Sequence, residues 1–261
     1  MITATSNAQV KYVISLQNKS RLRREKQEFV VEGIKMVMEA PRDRVVKIYA
    51  SEGFEKSNEN IAELLKSQGH YETVSDNVFA QMSDTKTPQG VMAIVAMKQY
   101  NIEDLFDKNG NTFIVAAENV QDPGNMGTIV RTAEGAGVTG ILLSGGCVDL
   151  YNPKTIRSTM GSIFRMPVVS EQEFGAAIDY ISSKGVKFYA AHLNGDKNYT
   201  DCDYRTSCAF IIGNESNGIT DETSEKCHEL IRIPMAGKVE SLNASIAAAV
   251  LMYEANRQKG H

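Results

Sequence analysis

The segment ENVQDPGNMGTIVRT, Glu118 to Thr132, carries a carboxamide and a guanidinium six residues apart, Asn125 and Arg131, just past an apolar run. Asp122-Pro123-Gly124 reads as a turn, Asn125 is placed to cap a helix, and Arg131 stands almost two helical turns further on. Both side chains can address one end of a sheet only if that helix lies along a cleft. Otherwise they are a cap and a surface arginine. IIGNESNGIT, Ile211 to Thr220, sets the carboxylate of Glu215 at the C-terminal end of a buried strand, where open α/β sheets bind ligands. IPMAGKVESLNASIAAAV, from Ile233, runs a strand into a glycine-containing loop and a helix starting at Ser241 and Asn243. Taken singly, Ser241 reads as an N-cap and Glu215 as a turn acid. What shifts the balance is that all three polar clusters stand at strand ends.

The elements that must position them follow from apolar patterning. TFIVAAEN, GILLSGG, FRMPVV, VKFYAAHL, CAFIIGN and ELIRIPM are expected strands. GNMGTIVRTAEGAG, NPKTIRSTMGS, EQEFGAAIDYISSKG and SLNASIAAAVLMYEANRQ are expected helices between or after them. Apolar strands alternating with helices specify a mostly parallel sheet covered on both faces. Upstream, NAQVKYVISL, the basic NKSRLRREKQE, GIKMVMEA, NENIAELLKSQG and DNVFAQMSD read as helices, with FVVEG, VVKIYA and GVMAIVAM as strands. The fold class is therefore α/β in two domains, residues 1–97 and 112–261. A polar linker is expected at 98–111, ending in an N-G-N turn.

GAGVTG, Gly135 to Gly140, has the G-x-G-x-x-G spacing of a dinucleotide loop. A dinucleotide fingerprint needs a strand running into the glycines and a helix leaving them, so that helix-start N–H groups face the pyrophosphate. Here the helix precedes and the strand follows, which would present phosphates to the negative helix end. The glycines instead suit a helix stop, a left-handed turn and a strand entry.

Of 261 residues, 42% are hydrophobic and 23% charged, as in ordinary globular proteins, and no apolar run reaches the length of a membrane span. The first residues lack the pattern of a secretion signal, which points to the cytoplasm. Cys147, Cys202, Cys208 and Cys227 form no C-x-x-C pair and the four histidines are scattered, so free thiols and no metal site are expected. The net charge of −4 argues against a generic polyanion binder, but it is uneven, at +3 over residues 1–40 and −7 over the rest. A basic end of that kind suits a nucleic-acid contact, or simply a solvated helix face.

In their order, NVQDPGNMGTIVRTAEGAGV, IIGNESNGI and RIPMAGKVESLNASIAAAVLMYEA resemble the three motifs of the SpoU (TrmH-like) branch of the SPOUT RNA methyltransferases. The resemblance covers about residues 112–258, and FVVEGIKMVMEA is similar to the L30e-like substrate-binding domain that precedes the catalytic domain in many members. The resemblance implies a parallel sheet closed by a deep trefoil knot, and methyl transfer from S-adenosyl-L-methionine to a ribose 2'-hydroxyl of RNA, 23S ribosomal RNA before transfer RNA. By motif position the cofactor contacts fall on Gly213, Ile233 and Leu242, with Asn214, Met235 and Leu193 as neighbours. Asn125, Arg131, Glu215, Ser241 and Asn243 are the matching catalytic residues. A guanidinium stays protonated in proteins, so Arg131 is expected to stabilise a developing alkoxide and hold a phosphate rather than act as a base. Arg21, Arg23, Arg24 and Lys26 become expected RNA contacts, and the apolar last helix an expected homodimer interface. A non-catalytic RNA-binding protein on this fold is the rival reading; it would be expected to have lost Arg131, Glu215 or Asn243, and all three are present.

Overall fold

The computed structural model describes residues 1–108, 110–193 and 195–260. In chain order its elements begin with helices α1 (Ala8–Asn18) and α2 (Ser20–Lys26), strand β1 (Glu28–Glu32), α3 (Ile34–Glu39) and β2 (Val45–Ser51). Helices α4 (Glu52–Ser57) and α5 (Glu59–Ser67), β3 (Tyr71–Val74), α6 (Asp76–Met82) and β4 (Val91–Ala96) follow. Then come β5 (Phe113–Ala117), α7 (Pro123–Gly135), β6 (Gly140–Ser144), α8 (Pro153–Thr159), β7 (Val168–Glu171), α9 (Phe174–Ser183) and β8 (Lys187–Ala191). The last are β9 (Lys197–Asn198), β10 (Cys208–Ile212), α10 (Asp221–Glu225), β11 (Glu229–Arg232) and α11 (Ala244–Lys259).

Two compact units result, the first formed by Met1–Gln99 together with Tyr151–Phe164, the second by Tyr100–Leu150 and the described residues from Arg165 onward. The first unit is a four-stranded sheet in the order β1-β4-β2-β3, with β4 antiparallel to both neighbours and β2 parallel to β3. Val10, Val13 and Leu16 of α1 pack with Val78, Phe79 and Met82 of α6 on the face carrying Val30, Tyr49 and Met92. Helix α8, expected in the second half, belongs to this first unit. Phe29 on β1 meets the rings of Tyr151 at 4.8 Å and Phe164 at 6.4 Å between centroids, and Arg157 pairs with Asp84 at 2.7 Å. The expected linker at 98–111 also behaves differently: it contains a 3-10 turn, Ile102–Leu105, whose Leu105 is fully buried in the second unit's core.

The basic run is not a uniform charged face. Arg23 is buried at 3% exposure, and its Nη1 donates to the carbonyls of Leu16 at 2.5 Å and Gln17 at 2.8 Å. It closes the C-terminal end of α1, where carbonyls lack helical partners, so its expected role as an RNA contact is corrected. Arg24 and Lys26 are exposed, and Arg21 pairs with Glu25 one helical turn on.

The second unit is a seven-stranded, wholly parallel sheet in the order β7-β6-β5-β10-β8-β11-β9. Its central strands are continuously apolar because both faces are covered. Along β5, Phe113, Val115 and Ala117 face the core built with α7 and α11, while Ile114 and Ala116 face the one built with α9. On β10, Phe210 and Ile212 go one way, Ala209 and Ile211 the other. GAGVTG is the exit of α7: Gly137 takes φ +75°, and Gly140 enters β6 so close to Leu105 that a Cβ there would stand 2.5 Å from Leu105 Cδ2.

Candidate active site

Three strand ends build the site, those of β5, β10 and β11. After β5 the chain turns through Asn119, at φ 55°, into α7. Asp122 is the N-cap, its Oδ1 accepting the Asn125 amide at 2.8 Å, and Pro123 occupies the first helical position, where its missing N–H leaves nothing unpaired. The cap expected at Asn125 is thus supplied three residues earlier. Asn125 lies within the first turn, and its carboxamide is left free to bridge other segments.

That carboxamide is the centre of a network. Asn125 Nδ2 donates to Glu215 Oε1 at 2.9 Å, while Asn125 Oδ1 accepts from Asn243 Nδ2 at 2.9 Å and from the Ser245 hydroxyl at 3.4 Å. Glu215, in the loop after β10, also accepts the amides of Gln121 at 3.1 Å and Asp122 at 3.2 Å, next to the start of α7. Burial alone would raise its carboxyl pKa, but donation from Asn125 and from those amides outweighs burial and holds it below the ordinary range. Asn243 caps α11, its Oδ1 accepting the Ser245 amide at 2.9 Å and the Ile246 amide at 3.4 Å. Ser241, expected at the helix start, stands exposed in the preceding loop instead.

A cavity of about 600 Å3 opens beside this network, walled by the ends of β8, β10 and β11 and the loops after them. Leu193, Gly213, Asn214, Ile233, Met235 and Leu242 all line it, as do Glu215 and Ser241. Gly213 has a local reason to be glycine. Asn214 and Gly218 exchange backbone hydrogen bonds of 2.9 Å, which folds Gly218 back over Gly213 with no room for a side chain between them.

Arg131 is not in the network. Six residues rotate a helix by roughly 600°, so Arg131 leaves α7 on a different face from Asn125. It is exposed, has no hydrogen bond or ion pair among the described residues, and does not line the cavity. Sequence reasoning passed over Ser245 and Asn119. Ser245 is buried and its hydroxyl donates to Asn243 Oδ1 at 2.7 Å; the Asn119 carbonyl accepts from Asn214 Nδ2 at 2.8 Å and the Asn119 amide donates to Ser144 Oγ at 2.9 Å. Both lie inside the quoted motifs; the side-chain type of Ser245 at a helix start is a readable signal, whereas Asn119 acts in these two bonds through its backbone, which leaves none. The four cysteines are free thiols. Among the described residues no cluster of His, Cys, Asp or Glu could hold a metal, and no helix is long and apolar enough to cross a membrane.

Residues 112–253, which hold every element of this site, match the SpoU rRNA Methylase family, and residues 7–93 match the MRM3-like substrate binding domain. The chain belongs to the SpoU rRNA methylase family. Among its relatives, the Bacillus subtilis 23S rRNA (guanosine(2553)-2'-O)-methyltransferase RlmP is 31% identical over 97% of this chain and 97% of its own length. Two solved methyltransferase structures, the second a SpoU methyltransferase, match nearly the whole chain. The AdoMet-bound rRNA methyltransferase from Sinorhizobium meliloti has a TM-score of 0.86 and 31% identity, covering 98% of this chain and 97% of the other. AviRb from Streptomyces viridochromogenes, in complex with AdoMet, has a TM-score of 0.88 and 27% identity, covering 97% and 98%. The three strand-end clusters, with little individual meaning, are joined through Asn125, Glu215 and Asn243 beside one cavity.

Proposed function

We propose that this SpoU-family protein methylates a ribose 2'-hydroxyl of structured RNA, 23S ribosomal RNA being the favoured substrate, with S-adenosyl-L-methionine as methyl donor. The observation that carries the reading is the convergence of Asn125 and Asn243 on Glu215, which itself lines a cavity walled by all six expected cofactor neighbours. The cavity fits such a cofactor: its volume falls within the roughly 300–1,000 Å3 typical of small-molecule sites. Gly213, Ile233 and Leu242 would hold the adenosine largely through backbone groups, with Leu193 and Met235 as apolar walls and Asn214 beside them. Bound S-adenosylmethionine supplies an electrophilic methyl group.

The chain's own groups do the rest. The amide-to-carboxylate chain Asn243–Asn125–Glu215 is fixed at both ends by backbone donors, so its polar groups need no reorganisation to orient a ribose. Ser241, on the cavity wall, is available to the same sugar. Arg131, always charged and without a competing acid among the described residues, is suited to hold an RNA phosphate or a developing alkoxide. Arg131→Ala is expected to abolish methyl transfer to RNA while leaving calorimetric cofactor affinity within about twofold, and Arg131→Lys to fail as well. Undiminished methylation by Arg131→Ala would overturn the role.

The first unit serves in this reading as the RNA substrate-binding domain, with Arg21, Arg24 and Lys26 as backbone contacts. The match to a substrate-binding family supports that assignment. The trefoil knot belongs to the same proposal, supported by the late strand β10 lying between the earlier β5 and β8. So does action in the cytoplasm as a homodimer. Helix α11 buries Ala248, Leu251, Met252 and Ala255 within its own chain but leaves Ile246 at 50% and Tyr253 at 52% exposure on another stripe. That stripe supports a second copy as its cover. Light scattering is expected to give a dimer mass for the wild type and a monomer for Ile246→Glu.

A further inference from the structure

We infer that Glu118 is a positioning residue for the cofactor cavity, acting through Thr220 as a latch on the Gly213–Gly218 turn. Glu118 follows β5 and is only 5% exposed. Its carboxylate takes the Thr220 amide at 2.9 Å, the Thr220 hydroxyl at 2.8 Å and the Thr223 hydroxyl at 2.8 Å. Three donors satisfy a buried carboxylate without a cation, and the two from Thr220 come from the residue that ends the cavity-lining loop. Thr220 also caps α10, accepting the Thr223 amide at 3.2 Å.

The other leg of the loop is held from the same place. The Glu118 amide donates to the Ile212 carbonyl at 2.9 Å, and the Asn119 carbonyl accepts Asn214 Nδ2 at 2.8 Å. Backbone groups at Glu118 and Asn119 thus fix the entry to the turn, and the Glu118 side chain fixes its exit. Everything between, including the backbone of Gly213 and Gly218 on the cavity wall and the carboxylate of Glu215, is clamped at both ends. An apolar residue at 118 would fill the same space but leave the Thr220 N–H unpaired and its hydroxyl tied only to Thr223 within α10, freeing the exit leg from β5. Glu118 itself does not line the cavity, so its effect on a ligand is transmitted through the turn.

This inference rests on the cofactor reading above. The test is calorimetric binding of S-adenosylhomocysteine, well below the melting midpoint, to the full chain and to Glu118→Gln, Thr220→Val and Thr220→Ser. Glu118→Gln and Thr220→Val are expected to weaken binding about tenfold or more, and to raise the KM for S-adenosylmethionine more than they lower kcat at saturation. Thr220→Ser, which keeps the hydroxyl, is expected to bind like the wild type. Thr220→Val retains the amide donor to Glu118 and carries the test if Glu118→Gln does not fold. A lower melting midpoint with unchanged affinity would make Glu118 merely structural and overturn the proposal, as would a fall in kcat with affinity unchanged. Absence of binding by the wild type sinks the cofactor reading and this proposal with it; normal wild-type binding with unaffected variants sinks the proposal alone.

Discussion

Gly213→Ala puts one methyl group where the structure has no space for it. A Cβ built there stands 2.5 Å from the Gly218 oxygen and from the Ile219 nitrogen, and closer still to the Gly218 carbonyl carbon. Carbon contacts settle at about 3.5–4.0 Å, so the turn must retreat by about 1 Å. All the atoms in the way are backbone, tied by the reciprocal 2.9 Å bonds between Asn214 and Gly218, and no side chain can swing aside. Overpacking of this kind costs about 1–3 kcal/mol, and each kcal/mol lowers a melting midpoint by roughly 2–4 °C at this size. Because Gly213 and Gly218 both line the cavity, the retreat is also expected to weaken S-adenosylmethionine binding. Thermal melting and calorimetric titration measure both losses. Gly237→Ala is the control, since a Cβ on Gly237 meets nothing within 4 Å. If Gly213→Ala melts and binds as Gly237→Ala does, the packing argument is wrong.

Arg23→Ala leaves the Leu16 and Gln17 carbonyls without their donor and is expected to destabilise the chain by about 1–3 kcal/mol, whereas Arg24→Ala leaves melting unchanged and weakens RNA binding. Equal melting of the two variants contradicts the capping role. The lowered carboxyl pKa of Glu215 implies a stabilising contribution complete above its unfolded value of about 4.3 and lost as pH falls through the lower folded value. The stability difference between wild type and Glu215→Gln is therefore expected to be flat from about pH 8 to pH 5 and to shrink in stronger acid. A difference that grows on acidification would reverse the sign of the argument.

Much of the second unit was legible because burial on both sheet faces writes itself as unbroken apolar runs, as in FIVAA of β5 and CAFII of β10. Strands without that burial were silent: β3 is mostly half-buried, and β9 has two residues. The cavity residues were reached through motif position, since backbone recognition leaves no mark in side-chain type. Local reasoning failed where a side chain's partner is remote. Asp122 and Asn125 are both good capping types, and only the carboxylate of Glu215, ninety residues away, explains why Asn125 is released from that task. Likewise Arg23 differs from Arg24 by one position on a helix, which turns the first inward and the second to solvent. Nor does the amphipathic pattern of α8 say which of two apolar cores it joins.

That last feature bears on how the polypeptide is made. Phe29 is covered by the rings of Tyr151 and Phe164, so the unit that begins at the N-terminus cannot be finished until translation has passed residue 164. Through more than fifty intervening residues the nascent chain carries an open apolar face on β1, a state prone to association. A fragment cut at Gln99 inherits that face permanently, whereas one that appends residues 151–164 through a short spacer restores the cover. The dividing line between the two units is thus not one point in the sequence but three.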